Sequence, residues 1–404
     1  DGIVNVVSEF GGSEHKAALV VSPDLEPNPA HWWNYPATVI RRLARNFGIK
    51  HGCDVSIRCD LPQSSGMSSS SAMVCAMWLV LNDRNKIEET PEFKEHLSTK
   101  EELFSYLGFI ENGQDAPGLP GDKGVGTFGG SEDHTAIMSG ERGKLKMFSY
   151  CPTQYLGEFS FPPDLTFVVA VSGAEAEKTG NAMADYNNAA FLARDAGIAW
   201  TKASKDAGEE VPKPWNGQNL NLSEIVRHVS GRIGLPATHP LVMESIITRI
   251  DELDDGKHFG PHGPPEENKE KVMYAPGALH KRFIQFFYES ECIIAEVASA
   301  FAANHHEKLS ALVDWSHSLT VSHLRNTIPA TEFLPATARE LGAIAASAFG
   351  AGFGGSCWAL VKLSEADEFV QKWKNAYEEA MPHWAERSTF FATKPCSGAF
   401  RFEL

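Results

Sequence analysis

Serine hydroxyls and free backbone amides converge on one short stretch of this chain, residues 61–72 (LPQSSGMSSSSA). There a Pro, a Gly and a run of serines lead directly into the apolar segment MVCAMWLVL. The alternating run before it, 54–59 (DVSIRC), reads as a strand; after it, Ala72, Met73, Val74, Ala76, Met77, Leu79 and Val80 fit a buried helix. A strand feeding a small-residue loop that ends at a helix N-terminus forms an anion cradle. The unpaired amides of the first turn and the positive end of the helix dipole face whatever sits there. The hydroxyls add donors, and an oxygen for a metal ion. By residue type alone the serine run is equally a plain linker; the flanking strand and helix favour the cradle.

A second small-residue cluster, 350–355 (GAGFGG), satisfies GxGxxG without its context. A dinucleotide fingerprint needs a strand before it and a helix after it. Here the preceding segment 336–349 (ATARELGAIAASAF) reads as helical and the following SCWALVKL as a strand, so the order is reversed and a dinucleotide site is excluded. No GxxxxGKS or GxxxxGKT occurs, which excludes a P-loop.

The elements that must position these loops fall into two halves, 1–163 and 164–404. The first half alternates strand-like runs (3–7, 17–21, 54–59, 144–150) with helical stretches (36–47, 71–81, 100–109). The second opens on a buried strand, 165–172 (LTFVVAVS). Residues 205–275 read as the least globular part, two surface loops (209–219 and 251–271) flanking a helix near 241–253. A long helix is expected over 279–303, and Ser364 with Asp367 reads as a capping box before the last helix, EFVQKWKNAYEEA. His258 and His262 sit in a Pro/Gly frame and His305–His306 at a helix end; all four read as decoration rather than metal ligands.

Several segments, in order, resemble the GHMP small-molecule kinases, and within them the galactokinases. The Pro-x-x-x-Gly-x-Ser-Ser-Ser loop and the GxGFGG loop are similar to the family's second and third motifs. HWWNY (31–35), FIEN (109–112), GSEDH (130–134), DYNN (185–188), RFIQFFYESECI (282–293), DWSHSL (314–319) and KPCSGA (394–399) resemble further galactokinase segments over nearly the whole chain. There are departures. Ser64 stands where the family usually has Gly, Met67 where it has Leu, and Ser347 and Phe349 where it has Arg and Thr; about ten extra residues within 113–130 separate Glu111 from Asp133. The family's first motif, source of sugar contacts and of an Arg beside the catalytic Asp, is missing; DGIVNVVSEF resembles the segment just after it, so the motif is expected upstream of residue 1.

The resemblance implies a two-domain α+β fold, mixed sheets with helices packed on them, and an active site in the interdomain cleft. It implies ATP-dependent phosphorylation of a monosaccharide at the anomeric hydroxyl, galactose or a close relative, with Mg2+. The alternatives are a non-catalytic ATP- and sugar-binding sensor and another GHMP small-molecule kinase. Pro62, Ser64, Ser65, Gly66, Ser68, Ser69, Ser70 and Ser71 would bind the nucleotide. Ser70, with Ser69 as its neighbour, and Glu111 would ligate the metal, leaving the remaining positions to phosphate oxygens and water, as Mg2+ prefers. Asp133 would be the catalytic base and a sugar contact, with Glu132 the residue a one-position slip would promote. An Asp at its ordinary pKa is a weak base toward a hydroxyl, though the anomeric hydroxyl is the most acidic on a free sugar. Tyr186, Gly352, Gly354 and Gly355 would approach the substrate. Without the family, Glu111 reads as a solvated helix-end acid, Asp133 as turn chemistry and Tyr186 as a core aromatic.

Composition fits this picture. A chain of 404 residues with 43% hydrophobic content can bury a substantial core. No apolar run approaches the roughly 18 residues of a membrane span. Seven scattered cysteines without a CxxC pair suit a reducing compartment without a zinc site, so a cytoplasmic location is expected. A net charge of −16 disfavours nucleic acid and anionic membranes, and no obligate protein partner is evident. A phosphate site here must therefore be built locally, from amides and metal.

Overall fold

The computed structural model describes residues 2–402 apart from 11–12, 30, 63, 176–182, 216, 257–273 and 351, and all of their side chains except those of 10 and 183–186. They form two compact units. The first holds residues up to 163 together with 173–175 and 393–402; the second holds 164–172 and 183–392.

In the first unit β1 (Ile3–Phe10) and β2 (Ser13–Val20) form an antiparallel hairpin with Ile3 opposite Val20. α1 (Asn34–Phe47) then supplies the crossover that a parallel neighbour requires, and β3 (Asp54–Arg58) pairs in parallel with β1, giving the order β2-β1-β3. α2 (Ser69–Asn85) follows the serine loop, and its Val74, Met77, Trp78 and Leu81 are buried because α1, α4 and α5 all pack against it. After α3 (Pro91–His96), α4 (Lys100–Asn112) starts on a Thr99/Glu102 capping box, and α5 (Glu132–Ser139) lies against its far end. β4 (Lys144–Ser149) and β5 (Gln154–Ser160) make a separate antiparallel ribbon.

The second unit contains a four-stranded sheet, β7-β8-β6-β9, built from β6 (Leu165–Val171), β7 (Ala345–Ala348), β8 (Ser356–Lys362) and β9 (Thr389–Thr393). Its helices in chain order are α6 (Met183–Asp206), α7 (Leu222–Ile233), α8 (Pro240–Asp251), α9 (Ala278–Phe287), α10 (Ile294–Ala302), α11 (His306–Leu319), α12 (Pro329–Glu340), α13 (Ala366–Ala380) and α14 (Pro382–Ala385). Leu334 of α12 and Trp373 and Tyr377 of α13 pack with Val168 and Ala170 of β6 in one core. Trp200, Ile225, Val229, Ile246 and Phe283 fill a second core among α6–α9.

Four sequence expectations need correction. The segment 336–349 is not wholly helical: α12 stops at Glu340, and 345–348 is strand β7. The dinucleotide reading still fails, because a strand and not a helix follows the glycines. The stretch 205–275 is not uniformly loop-like, since α7 starts on an Asn221/Glu224 capping box and buries Leu222, Ile225, Val226 and Val229. The long helix is interrupted by a π-helical turn at Tyr288–Ile293 between α9 and α10. Ser364 lies in a short 3-10 turn, so α13 begins at Ala366 after Glu365 with no side-chain cap. His258 and His262 lie outside the described residues.

Candidate active site

The serine loop is held in shape from within. Ser65 is buried and its hydroxyl donates to the Pro62 carbonyl at 2.7 Å. Three residues take left-handed backbone, Ser64 (φ 50°), Gly66 (φ 72°) and Ser68 (φ 54°). Gly pays nothing for that conformation; a serine does. Ser68 is the residue before α2, and its side chain makes no capping bond, so the helix mouth keeps its first-turn amides for an external acceptor. Ser69 is exposed, Ser70 half-buried and Ser71 buried at 1% exposure.

Behind that mouth, three helices bring their side chains to one carboxylate. Glu111, in the last turn of α4, is only 7% exposed. Its Oε2 accepts from the Ser71 hydroxyl of α2 at 2.9 Å. The same oxygen lies 3.0 Å from Nε2 of His134, which is 1% exposed in the first turn of α5, yet neither ring nitrogen of His134 has a hydrogen-bond partner. The contact is therefore one of proximity, without the alignment of a hydrogen bond. One turn along α2 from Ser71, the Cys75 thiol is pushed up to about 12, first by burial and then by the charges of Glu111 and Asp133. Asp133 is half-buried and Glu132 exposed.

Small residues let these helices meet. A Cβ on Gly108 of α4 would lie 2.8 Å from the Ser131 Cα just ahead of α5. The Ser131 and Ser105 hydroxyls both reach Thr153 Oγ1, at 3.1 and 2.8 Å, which pins α5 to α4. The extra residues between Glu111 and Asp133 form a strap bound to a basic row on α1. Arg41 Nε donates to Asp122 at 2.7 Å and its Nη2 to the Gly124 carbonyl; Arg42 donates to the Gln114 carbonyl, Arg45 to that of Gly121, and Asn46 to that of Pro120. The strap returns at Val125, whose amide donates to the Glu111 carbonyl at 2.9 Å.

The late glycines serve the β7–β8 hairpin. Gly350, Gly352, Gly354 and Gly355 all have positive φ, and a Cβ on Gly352 would sit 2.2 Å from the Asn326 carbonyl oxygen. The loop is anchored where the Ser172 amide and hydroxyl both donate to the Gly355 carbonyl, while the Tyr377 hydroxyl donates to the Ser172 carbonyl. Gly352 is thus demanded by the protein's own backbone. Tyr186 falls in α6, but its side chain lies outside the described residues.

The structure therefore brings Ser71, Glu111 and His134 together, with Asp133 next to His134 at the start of α5, and leaves Ser70 half-buried at the helix mouth. Sequence reasoning missed His134; nothing in its spacing marks it beyond its place after Asp133. Hydroxyl and carboxylate oxygens are the donors a hard cation such as Mg2+ takes, and an orphaned imidazole beside the carboxylate adds a buried polar group. Among the described residues no group of three or more His, Cys, Asp or Glu could hold a metal ion.

Comparison with known families follows this geometry. The GHMP kinases N terminal domain matches residues 34–119, taking in the serine loop and Glu111, and the GHMP kinases C terminal domain matches 297–379, taking in the late glycines. The chain carries both GHMP kinase domains. Among the curated relatives it is similar to is a galactokinase of Dictyostelium discoideum, 22% identical over 91% of this chain and 74% of the relative. A galactokinase of Pyrococcus furiosus is 27% identical over 133 residues, 33% of this chain and 37% of its own. The fold is that of the crystal structure of Lactococcus lactis galactokinase complexed with galactose, with a TM-score of 0.68 at 20% identity over 100% of this chain and 84% of that one. No helix among the described residues is long and apolar enough to cross a membrane.

Proposed function

We propose that this protein transfers the γ-phosphoryl group of ATP to the anomeric hydroxyl of a monosaccharide, galactose or a close relative. The observation that carries the proposal is the meeting of Ser71, Glu111 and His134 at the first turn of the helix that the serine loop opens, with Asp133 next in sequence to His134. The galactokinase relatives point to the sugar.

In this reading Pro62, Ser64, Ser65, Gly66, Ser68 and Ser69 shape the loop whose amides and hydroxyls hold the phosphates at the α2 mouth. Ser70 and Glu111 hold Mg2+, which when bound neutralises charge on the transferring phosphoryl group. Ser71 turns inward to orient Glu111 instead of facing the nucleotide. Asp133 accepts the proton of the attacking hydroxyl as its oxygen bonds to phosphorus, and ADP leaves. Tyr186, Gly352, Gly354 and Gly355 are assigned to the substrate. Phosphoryl transfer demands positioning and charge more than covalent chemistry, so buried, hydrogen-bonded placement of Glu111 is the kind of preparation it needs.

The test is ADP release by the purified protein with Mg-ATP and a panel of monosaccharides including galactose, N-acetylgalactosamine, arabinose and uronic acids. Turnover at roughly 1–100 per second with one of them supports the proposal. Joint binding of ATP and sugar without ADP release would instead identify a sensor of the same fold, for which the substitution of Ser64 at a left-handed position is the structural motive.

A further inference from the structure

We infer that Ser71 and His134 are positioning residues that fix the Glu111 carboxylate from two different helices. The inference rests on the reading of Glu111 as a metal ligand. Three observations carry it. Ser71 Oγ and His134 Nε2 both address the same oxygen, Oε2, at 2.9 and 3.0 Å. All three side chains are nine-tenths or more buried, so solvent does not do this work. Neither ring nitrogen of His134 has a hydrogen-bond partner, so its polar contact with the protein is this approach to the carboxylate.

A carboxylate presented to a metal must be held in one rotamer, and outer partners of that kind carry about 10–100-fold in metal affinity. Here the partners come from α2, whose mouth is the phosphate cradle, and from α5, where Asp133 immediately precedes His134. One carboxylate thus ties the loop helix, the metal ligand and the base-bearing helix into a single unit. Turning His134 away from Glu111 would also turn the first turn of α5, and with it Asp133. Ser71 stands just beyond the loop serines, so its hydroxyl belongs to the carboxylate and not to the ligand.

The experiment titrates Mn2+ into the full chain with a non-hydrolysable ATP analogue, read by electron paramagnetic resonance, alongside the Mg2+ dependence of kcat and the melting temperature. Variants are Ser71→Ala, His134→Ala, His134→Gln, the Ser71→Ala/His134→Ala double and Glu111→Gln. Ser71→Ala and His134→Ala should each weaken Mn2+ about 10-fold. The double should weaken it by less than the product, because both act on one oxygen. His134→Gln, which keeps a polar side chain packed beside the carboxylate, should recover part of the loss. Unchanged Mn2+ affinity in folded Ser71→Ala and His134→Ala, whether or not the melting temperature falls, overturns the inference. If Glu111→Gln also leaves Mn2+ binding unchanged, the metal-ligand reading itself has failed. Wild-type protein that binds Mn2+ and nucleotide without turning over any sugar sinks the proposed reaction alone.

Discussion

Asp122 is the carboxylate that holds the strap, and its removal should destabilise the first unit out of proportion to its position in a loop. Its side chain is 2% exposed, between Arg41 at 4% and Arg42 at 0%. It takes Arg41 Nε at 2.7 Å, lies 3.9 Å from Arg42 Nη1 and accepts the Gly124 amide at 2.9 Å. Arg42 Nη1 already lacks a hydrogen-bond partner, so Asp122→Ala leaves two buried guanidiniums facing each other with no counter-charge. Breaking a buried pair by deleting one partner costs about 3–5 kcal/mol. At roughly 2–4 °C per kcal/mol for a unit of this size, the melting temperature should fall by about 6–20 °C. The control is Lys123→Ala next door, where an exposed pair with Glu26 at 3.8 Å should contribute under about 1 kcal/mol. Urea unfolding followed by tryptophan fluorescence separates them, Trp78 lying in that unit's core. Since the strap ends on the Glu111 carbonyl, kcat should fall along with stability. An Asp122→Ala midpoint within about 1 kcal/mol of wild type would show that the arginine row does not depend on this carboxylate and refute the reasoning.

Asp133→Asn should lower kcat by on the order of 10²-fold with ATP affinity nearly unchanged, whereas Glu132→Gln should be near neutral; the reverse pattern moves the base by one residue. Ser64→Gly relieves a left-handed serine at φ 50° and should stabilise the loop by up to about 1 kcal/mol, read from the urea midpoint, with a loss of stability counting against it. The Glu209 carboxyl is held down to about 2, first by Arg249 and then by Arg232. A depressed carboxylate stabilises above its unfolded value, here 4.5, and loses that contribution as pH falls toward about 2. Glu209→Gln should therefore be less stable than wild type at pH 7, with the difference in melting temperature closing between pH 4.5 and about 2; a pH-independent difference would exclude the linkage.

How much was legible in the chain depended on the range of the interaction concerned. Alternating apolar residues suffice for β3, and continuous apolar runs for β6 and α2, because burial of a single face or segment is a local property. The serine loop and the glycine cluster at 350–355 were also visible, since backbone conformation there is limited by residue type. Local signals misled where tertiary pairing outweighed propensity. Ala345–Ala348 is alanine-rich and reads as helix, but becomes a strand because β8 offers it a partner, Ala345 opposite Leu360. α7, hidden among Gly, Pro and Asn, is a helix because its apolar face completes the core of α6, α8 and α9.

The site itself shows the division most sharply. Residue types announced a phosphate cradle, while Glu111 as a metal carboxylate and Asp133 as a base came only from the resemblance to the galactokinases. No spacing could show that Ser71, rather than Ser70, turns to Glu111, or that His134 completes the group. Ser71 and Glu111 are 40 residues apart, and their meeting depends on three helices packing at a glycine that admits close approach. Helical periodicity states which residues share a face of one helix; which face of α2 confronts which end of α4 and α5 was decided by the packing of Trp78, Tyr106 and Ile110 in the core.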